Sequence, residues 1–216
     1  MLKQVLIFVT GSLTITQAGA QVRKDESLLY NNYDTAYIQL GNSNLEQNKI
    51  DSAVLNYTKA LQINPQQVLA YLALGNIYRN EKNDYTLAIG NYLNAVKIDS
   101  TNKETFYNIA WCYNAKQEYD SAIAYSIKAL DLDNNYRAAY SELGHAYHAS
   151  KKYVEAIEQF KKYIAISANP LPLLYCGLCY IELKDKDNAM KIYEELKKTE
   201  PKMAETLKNN IDKAKL

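Results

Sequence analysis

The chain repeats one pattern of apolar, small and aromatic positions about every 34 residues, and a period of this length is typical of stacked helical repeats. The pattern is anchored by alanines separated by 35, 34, 34 and 33 residues: Ala53, Ala88, Ala122, Ala156 and Ala189. An apolar residue followed by a small one precedes each alanine: Leu40-Gly41, Leu74-Gly75, Ile109-Ala110, Leu143-Gly144 and Cys176-Gly177. The spacings place these positions on one stripe of a helix, so each unit is predicted to contain two short helices packed together.

A large ring follows four residues after most of the anchoring alanines. The rings are Tyr57, Tyr92, Phe160 and Tyr193, whereas Ser126 stands at this place in the third unit. Two helix axes can approach closely where one helix carries glycine or alanine, and a ring beside the crossing then fills the remaining space. We therefore expect each small residue of a first helix to face the ring of the second helix.

With five units in register, the chain resembles a tetratricopeptide repeat protein. The resemblance implies an all-α fold, a right-handed α-α superhelix of helix pairs, closed by a lysine-rich C-terminal capping helix. The expected organisation is a signal peptide, an N-terminal lead-in, five repeats and the cap, at residues 1–20, 21–33, 34–67, 68–102, 103–136, 137–169, 170–203 and 204–216.

The N-terminus resembles a secretory signal. Lys3 precedes an apolar stretch that begins at Val5, and Ala18-Gly19-Ala20 offers the small residues at which a signal peptidase cleaves. Several threonines, together with Gly11 and Ser12, leave an apolar run too short for a retained membrane anchor, which is the alternative. We expect a protein exported to the periplasm or secreted.

Charge and motifs narrow the function further. Lysine and arginine number 25 against 24 acidic residues, so bulk charge indicates neither nucleic acid nor a membrane surface as partner. No phosphate-binding loop or nucleophile motif is present, so we expect no enzymatic activity and no cofactor. Cys112, Cys176 and Cys179 fall within predicted helices, which favours buried thiols over a redox site.

In proteins of this family, the first helix of each pair lines a concave face that holds a peptide or a helix of a partner. The inward positions that we expect to contact a partner are Asn42, Asn76, Arg79, Tyr107, Trp111, Asn114, His145 and His148. Tyr107 and Trp111 lie one turn apart, and such rings give large contact area at low entropic cost. The alternative is that both rings serve only the packing between repeats.

Two more specific sites are disfavoured by the sequence. The family's carboxylate clamp needs cationic side chains at inward positions, where this chain carries Ile38, Ala73 and Glu104 in one possible window. Glu142, His145 and His148 could offer three ligands to zinc, but successive steps of three residues drift around a helix, so no metal site is predicted.

Two functions follow from these observations. The first is a non-catalytic adaptor or scaffold of the cell envelope, which binds a peptide segment or helix of a partner protein in the groove. The second is a structural component of a larger assembly, or a self-associating chain, which uses its convex face or terminal repeats and leaves the groove unused.

Overall fold

The computed structural model describes residues 33–167 and 169–215, which are helical throughout apart from turns and short connections. The predicted signal peptide and nearly all of the lead-in lie outside the described residues. The described residues form eleven helices, with these bounds: α1 (33–46), α2 (Ile50–Ile63), α3 (Val68–Asn80), α4 (Tyr85–Ile98), α5 (Lys103–Ala115), α6 (Tyr119–Leu132), α7 (Arg137–Ala149), α8 (Tyr153–Ile166), α9 (Leu171–Glu182), α10 (Lys186–Thr199) and α11 (Pro201–Lys213). The predicted all-α fold is confirmed.

The chain divides between Ala70 and Tyr71 into two compact units. In the first unit, Ala53, Tyr57 and Ala60 of α2 are buried. Asp34 of α1 is only 1% exposed, and its carboxylate accepts hydrogen bonds from the side-chain amides of Asn64 at 2.7 Å and Gln67 at 3.1 Å. These bonds compensate for the loss of water around a buried charge and join α1 to the residues that follow α2.

In the second unit, each helix from α4 to α11 packs against the next one, and α5 also packs against α7. The helices therefore alternate between a first and a second member of each pair: α3, α5, α7 and α9 are first helices, and α4, α6, α8 and α10 are second helices. Among the described residues, no helix is both long enough and apolar enough to cross a lipid bilayer.

Close contacts between a small residue and a ring join the two helices of a pair, as the sequence predicts. A Cβ atom added to Gly75 would lie 2.5 Å from the ring of Tyr92, and one added to Gly144 would lie 2.5 Å from the ring of Phe160. Both rings are fully buried. In the third pair Ala110 takes the place of glycine, and the residue at the ring position is the small, buried Ser126.

The fifth pair differs from the prediction. Instead of meeting the ring of Tyr193, a Cβ atom at Gly177 would lie 2.6 Å from Leu207 of α11 and 3.2 Å from Ile192. The expectation that Tyr193 faces this glycine is therefore wrong, because a side chain of the last helix takes that place.

The last helix covers the end of the array. Its apolar residues Ala204, Leu207 and Ile211 are at most 2% exposed and pack against Leu173 and Leu196. The remaining positions of α11 are largely polar and solvent-facing, as the end of a repeat array requires. The predicted capping helix is confirmed, and it begins at Pro201, a residue suited to a first turn because it has no N–H to leave unpaired.

Candidate functional site

The predicted contact residues of the second unit lie on three successive first helices. Asn76 and Arg79 belong to α3, three further residues belong to α5, and the two histidines belong to α7. Asn42 lies on α1 in the other compact unit. We call the set on α3, α5 and α7 the first-helix face: Asn76, Arg79, Tyr107, Trp111, Asn114, His145 and His148.

Arg79 joins α3 to α5. Its guanidinium donates a short hydrogen bond to the side-chain oxygen of Asn108 and lies over the Trp111 ring, 5.4 Å from the ring centre. The Trp111 ring also meets the edge of Tyr85, at 5.6 Å between ring centres. Trp111 is partly buried, and these two contacts fix the orientation of its ring.

Tyr107 lies one turn before Trp111 on α5 and is partly buried. Its ring meets the ring of Tyr136 edge-on, with 5.8 Å between centres. Burial raises the pKa of Tyr107, and the negative charge of Glu142 raises it further, so the hydroxyl remains a neutral hydrogen-bond donor at neutral pH.

Asn114 joins α5 to α7. Its amide nitrogen donates hydrogen bonds to the backbone oxygen and the carboxylate of Glu142, at 3.0 and 2.9 Å. Burial raises the pKa of Glu142, whereas the bond from Asn114 and the charge of Arg79 lower it. Burial is the largest of these effects, so this carboxylate is more easily protonated than an exposed one.

The two histidines of α7 both contact a tyrosine of α9. The ring of Tyr175 lies 4.6 Å from that of His145 and 5.9 Å from that of His148, edge-on in both contacts. His145 also meets Phe160 at 5.3 Å. Burial lowers the pKa of both histidines, so both are predominantly neutral at pH 7.

The two predicted asparagines on α1 and α3 have a structural partner that the sequence did not reveal. The buried hydroxyl of Tyr57 donates to the side-chain oxygen of Asn42 at 2.6 Å, and that of Tyr92 donates to Asn76 at 2.7 Å. Each asparagine therefore satisfies the polar end of a buried ring, while its own side chain remains largely exposed.

The sequence does not place Asn108, Glu142 or Tyr175 among the predicted partner contacts, although Glu142 is considered there as a zinc ligand. Asn108 directly follows the predicted contact Tyr107, and Glu142 lies one helical turn before His145 on α7. The contacts that bring these residues into the region are formed between helices, so residue spacing within one helix does not reveal them.

The described residues form neither a metal-binding site nor a reactive thiol site. No group of three histidine, cysteine or acidic side chains is placed there to hold a metal ion. Cys112, Cys176 and Cys179 are buried free thiols, as predicted, and burial raises the pKa of each to about 12. They are therefore poor nucleophiles at neutral pH.

Family models match four segments of the chain. A TPR repeat model matches residues 41–80, and tetratricopeptide repeat models match residues 104–136, 138–170 and 173–202. No curated protein matches the chain.

Solved structures similar to the chain include three named proteins. MamA is 27% identical, with a TM-score of 0.76 over 81% of this chain and 96% of that one. YrrB, a TPR protein with an unusual peptide-binding site, is 22% identical, with a TM-score of 0.72 over 80% and 90%. PilW, a type IV pilus biogenesis factor, is 18% identical, with a TM-score of 0.68 over 89% and 90%.

Proposed function

From the premise that the chain belongs to the tetratricopeptide repeat family, we propose that it is a non-catalytic adaptor or scaffold of the cell envelope. The fold is one that binds other proteins. The first-helix face is the surface that we assign to a peptide segment or helix of the partner. Placement in the envelope rests on the signal-like residues 1–20.

The observation that carries the proposal is the continuous row of partly buried rings and amides across α3, α5 and α7. Arg79, Trp111 and Tyr107 are held in place by side chains of neighbouring helices, so little conformational entropy remains to be lost when a partner binds. The exposed side chain of Asn76 in the same row accepts from Tyr92 through its oxygen, and its amide N–H groups can donate to C=O groups of a peptide backbone. YrrB, which shares the fold, has a peptide-binding site, although its identity to this chain extends the argument only to the fold.

The test is co-purification of the tagged full chain from its native envelope fraction, beside a Tyr107→Ala, Trp111→Ala double variant. Truncation of rings at the centre of an interface costs about 2 kcal/mol or more, so the double variant should lose at least about tenfold in affinity. A Tyr163→Ala, Tyr193→Ala variant, which removes two partly buried rings from second helices, is the matched control.

Circular dichroism must show matched helicity for all three proteins. Capture of the same partner by the parent and by the control, but not by the Tyr107→Ala, Trp111→Ala variant, supports the proposal. Capture by all three proteins would contradict the assigned surface and favour binding through the second helices or the ends of the array.

A further inference from the structure

Glu142 is a carboxylate with one side-chain partner. It lies on α7 at the first-helix face, partly buried, and accepts a hydrogen bond from the amide of Asn114 at 2.9 Å. The ion pairs formed within residues 33–167 and 169–215 do not include it. A partly desolvated carboxylate without a cation is costly, so this arrangement favours the arrival of one.

The surroundings of Glu142 contain more hydrogen-bond acceptors than donors. Asn114 turns its amide nitrogen toward Glu142, where it donates two hydrogen bonds. Its side-chain oxygen is then left buried without a partner among the described residues. Turning the amide around would place that oxygen against the carboxylate, so the protein's own side chains leave one acceptor unpaired in either orientation.

The nearest cation is held by other contacts. The Arg79 guanidinium donates to Asn108 and to Asn80 and lies over Trp111. It lowers the pKa of Glu142 through space but forms no ion pair with it among the described contacts. A second cation, with several N–H donors, could approach the carboxylate from the exposed side of the first-helix face without displacing Arg79.

We propose that the partner segment places an arginine or lysine side chain against Glu142 on the first-helix face. The inference rests on the proposed function, because it names the chemistry of a segment bound at the same face. Arginine fits best, since its planar guanidinium pairs with a carboxylate through two hydrogen bonds and stacks on rings. By contrast, the carboxylate clamp of this family binds a negatively charged group.

The test is binding of the full chain to a library of short peptides whose central residue is fixed as Arg, Lys, Gln, Leu or Glu. The parent should enrich peptides with a central Arg or Lys at least about tenfold over those with Gln or Glu. Glu142→Gln keeps the shape and a partner for Asn114 but removes the charge, so it should abolish that preference. Glu155→Gln, at an exposed position of α8, is the control and should leave the preference unchanged.

The outcomes separate this inference from the proposed function. Peptides that bind without preference for a basic centre, yet are lost on Tyr107→Ala, Trp111→Ala substitution, would overturn the inference and leave the proposed function standing. An unchanged preference in Glu142→Gln would also overturn it. A library from which no peptide binds would contradict both. The supported result is a preference for basic centres that Glu142→Gln removes, Glu155→Gln keeps, and added salt weakens.

Discussion

In the first four pairs, the size of the first-helix residue matches the space that the facing second-helix side chain leaves. Gly75 faces the buried ring of Tyr92, and no side chain fits between the two backbones there. Where the second helix offers the smaller Ser126, the first helix carries Ala110. Gly90 is different, because a Cβ atom at that exposed position of α4 would have no neighbour within 4 Å.

Substitution by alanine at Gly75 and at Gly90 should change the stability of the fold in opposite directions. Gly75→Ala should destabilise the fold by about 1–3 kcal/mol, because the Tyr92 ring is forced out of its place. Gly90→Ala should stabilise it by about 0.5–1 kcal/mol, because alanine loses less backbone entropy than glycine within a helix. Urea denaturation followed by circular dichroism measures both, and a stabilised Gly75→Ala variant would contradict the packing described.

At the scale of helices, the parts of the fold that could be predicted from the sequence are those set by side-chain size and periodicity. The paired helices, the contacts of Gly75 and Gly144, and the cap follow from apolar spacing, whereas the contact of Gly177 with the last helix does not. The turns inside the repeats could not be predicted in this way, because each contains a non-glycine residue in the left-handed conformation. These residues are Asn48, Asn83, Gln117, Lys151 and Lys184. After α7, for example, Lys152 donates its backbone N–H to the oxygen of Tyr147 at 2.8 Å, and this bond ends the helix.

The contacts among α7, α8 and α9 make the stability of the fold depend on pH. Burial lowers the pKa of His145 below 6.5, and that of His148 falls for the same reason despite the opposing charge of Glu182. The unfolded chain then binds more protons than the folded one below pH 6.5, so stability should fall as pH decreases through that value. Burial raises the pKa of the facing Tyr153, so this hydroxyl stays neutral throughout the range.

The urea midpoint, measured across this pH range, tests the assignment. The parent should lose stability on acidification below pH 6.5, whereas a His145→Gln, His148→Gln variant should lose markedly less. Glu142 contributes with the opposite sign above pH 4.5, since its raised pKa favours the folded state on protonation, and it does so equally in both proteins. Equal slopes in parent and variant would contradict this account of the histidines.

At the scale of the whole molecule, the sequence predicts which residues could share a face but not how they pair. Tyr107 and Trp111 could be placed together because they lie one turn apart on a single helix. The pairs between helices, Arg79 with Asn108 and Asn114 with Glu142, depend on how neighbouring repeats align. That alignment is set by packing between the helices of neighbouring repeats, which a count of positions within one repeat does not capture.

The central claim is that a partner protein lies against the first helices, and site-specific photo-crosslinking in intact cells tests it most directly. A photo-reactive residue at Ala115, exposed at the end of α5, should crosslink the partner, and one at Ala149 of α7 should capture the same protein. The same group at Leu87 or Val154, exposed on the second helices α4 and α8, should not. Crosslinks from the second-helix positions alone would contradict the claim and assign binding to the opposite face.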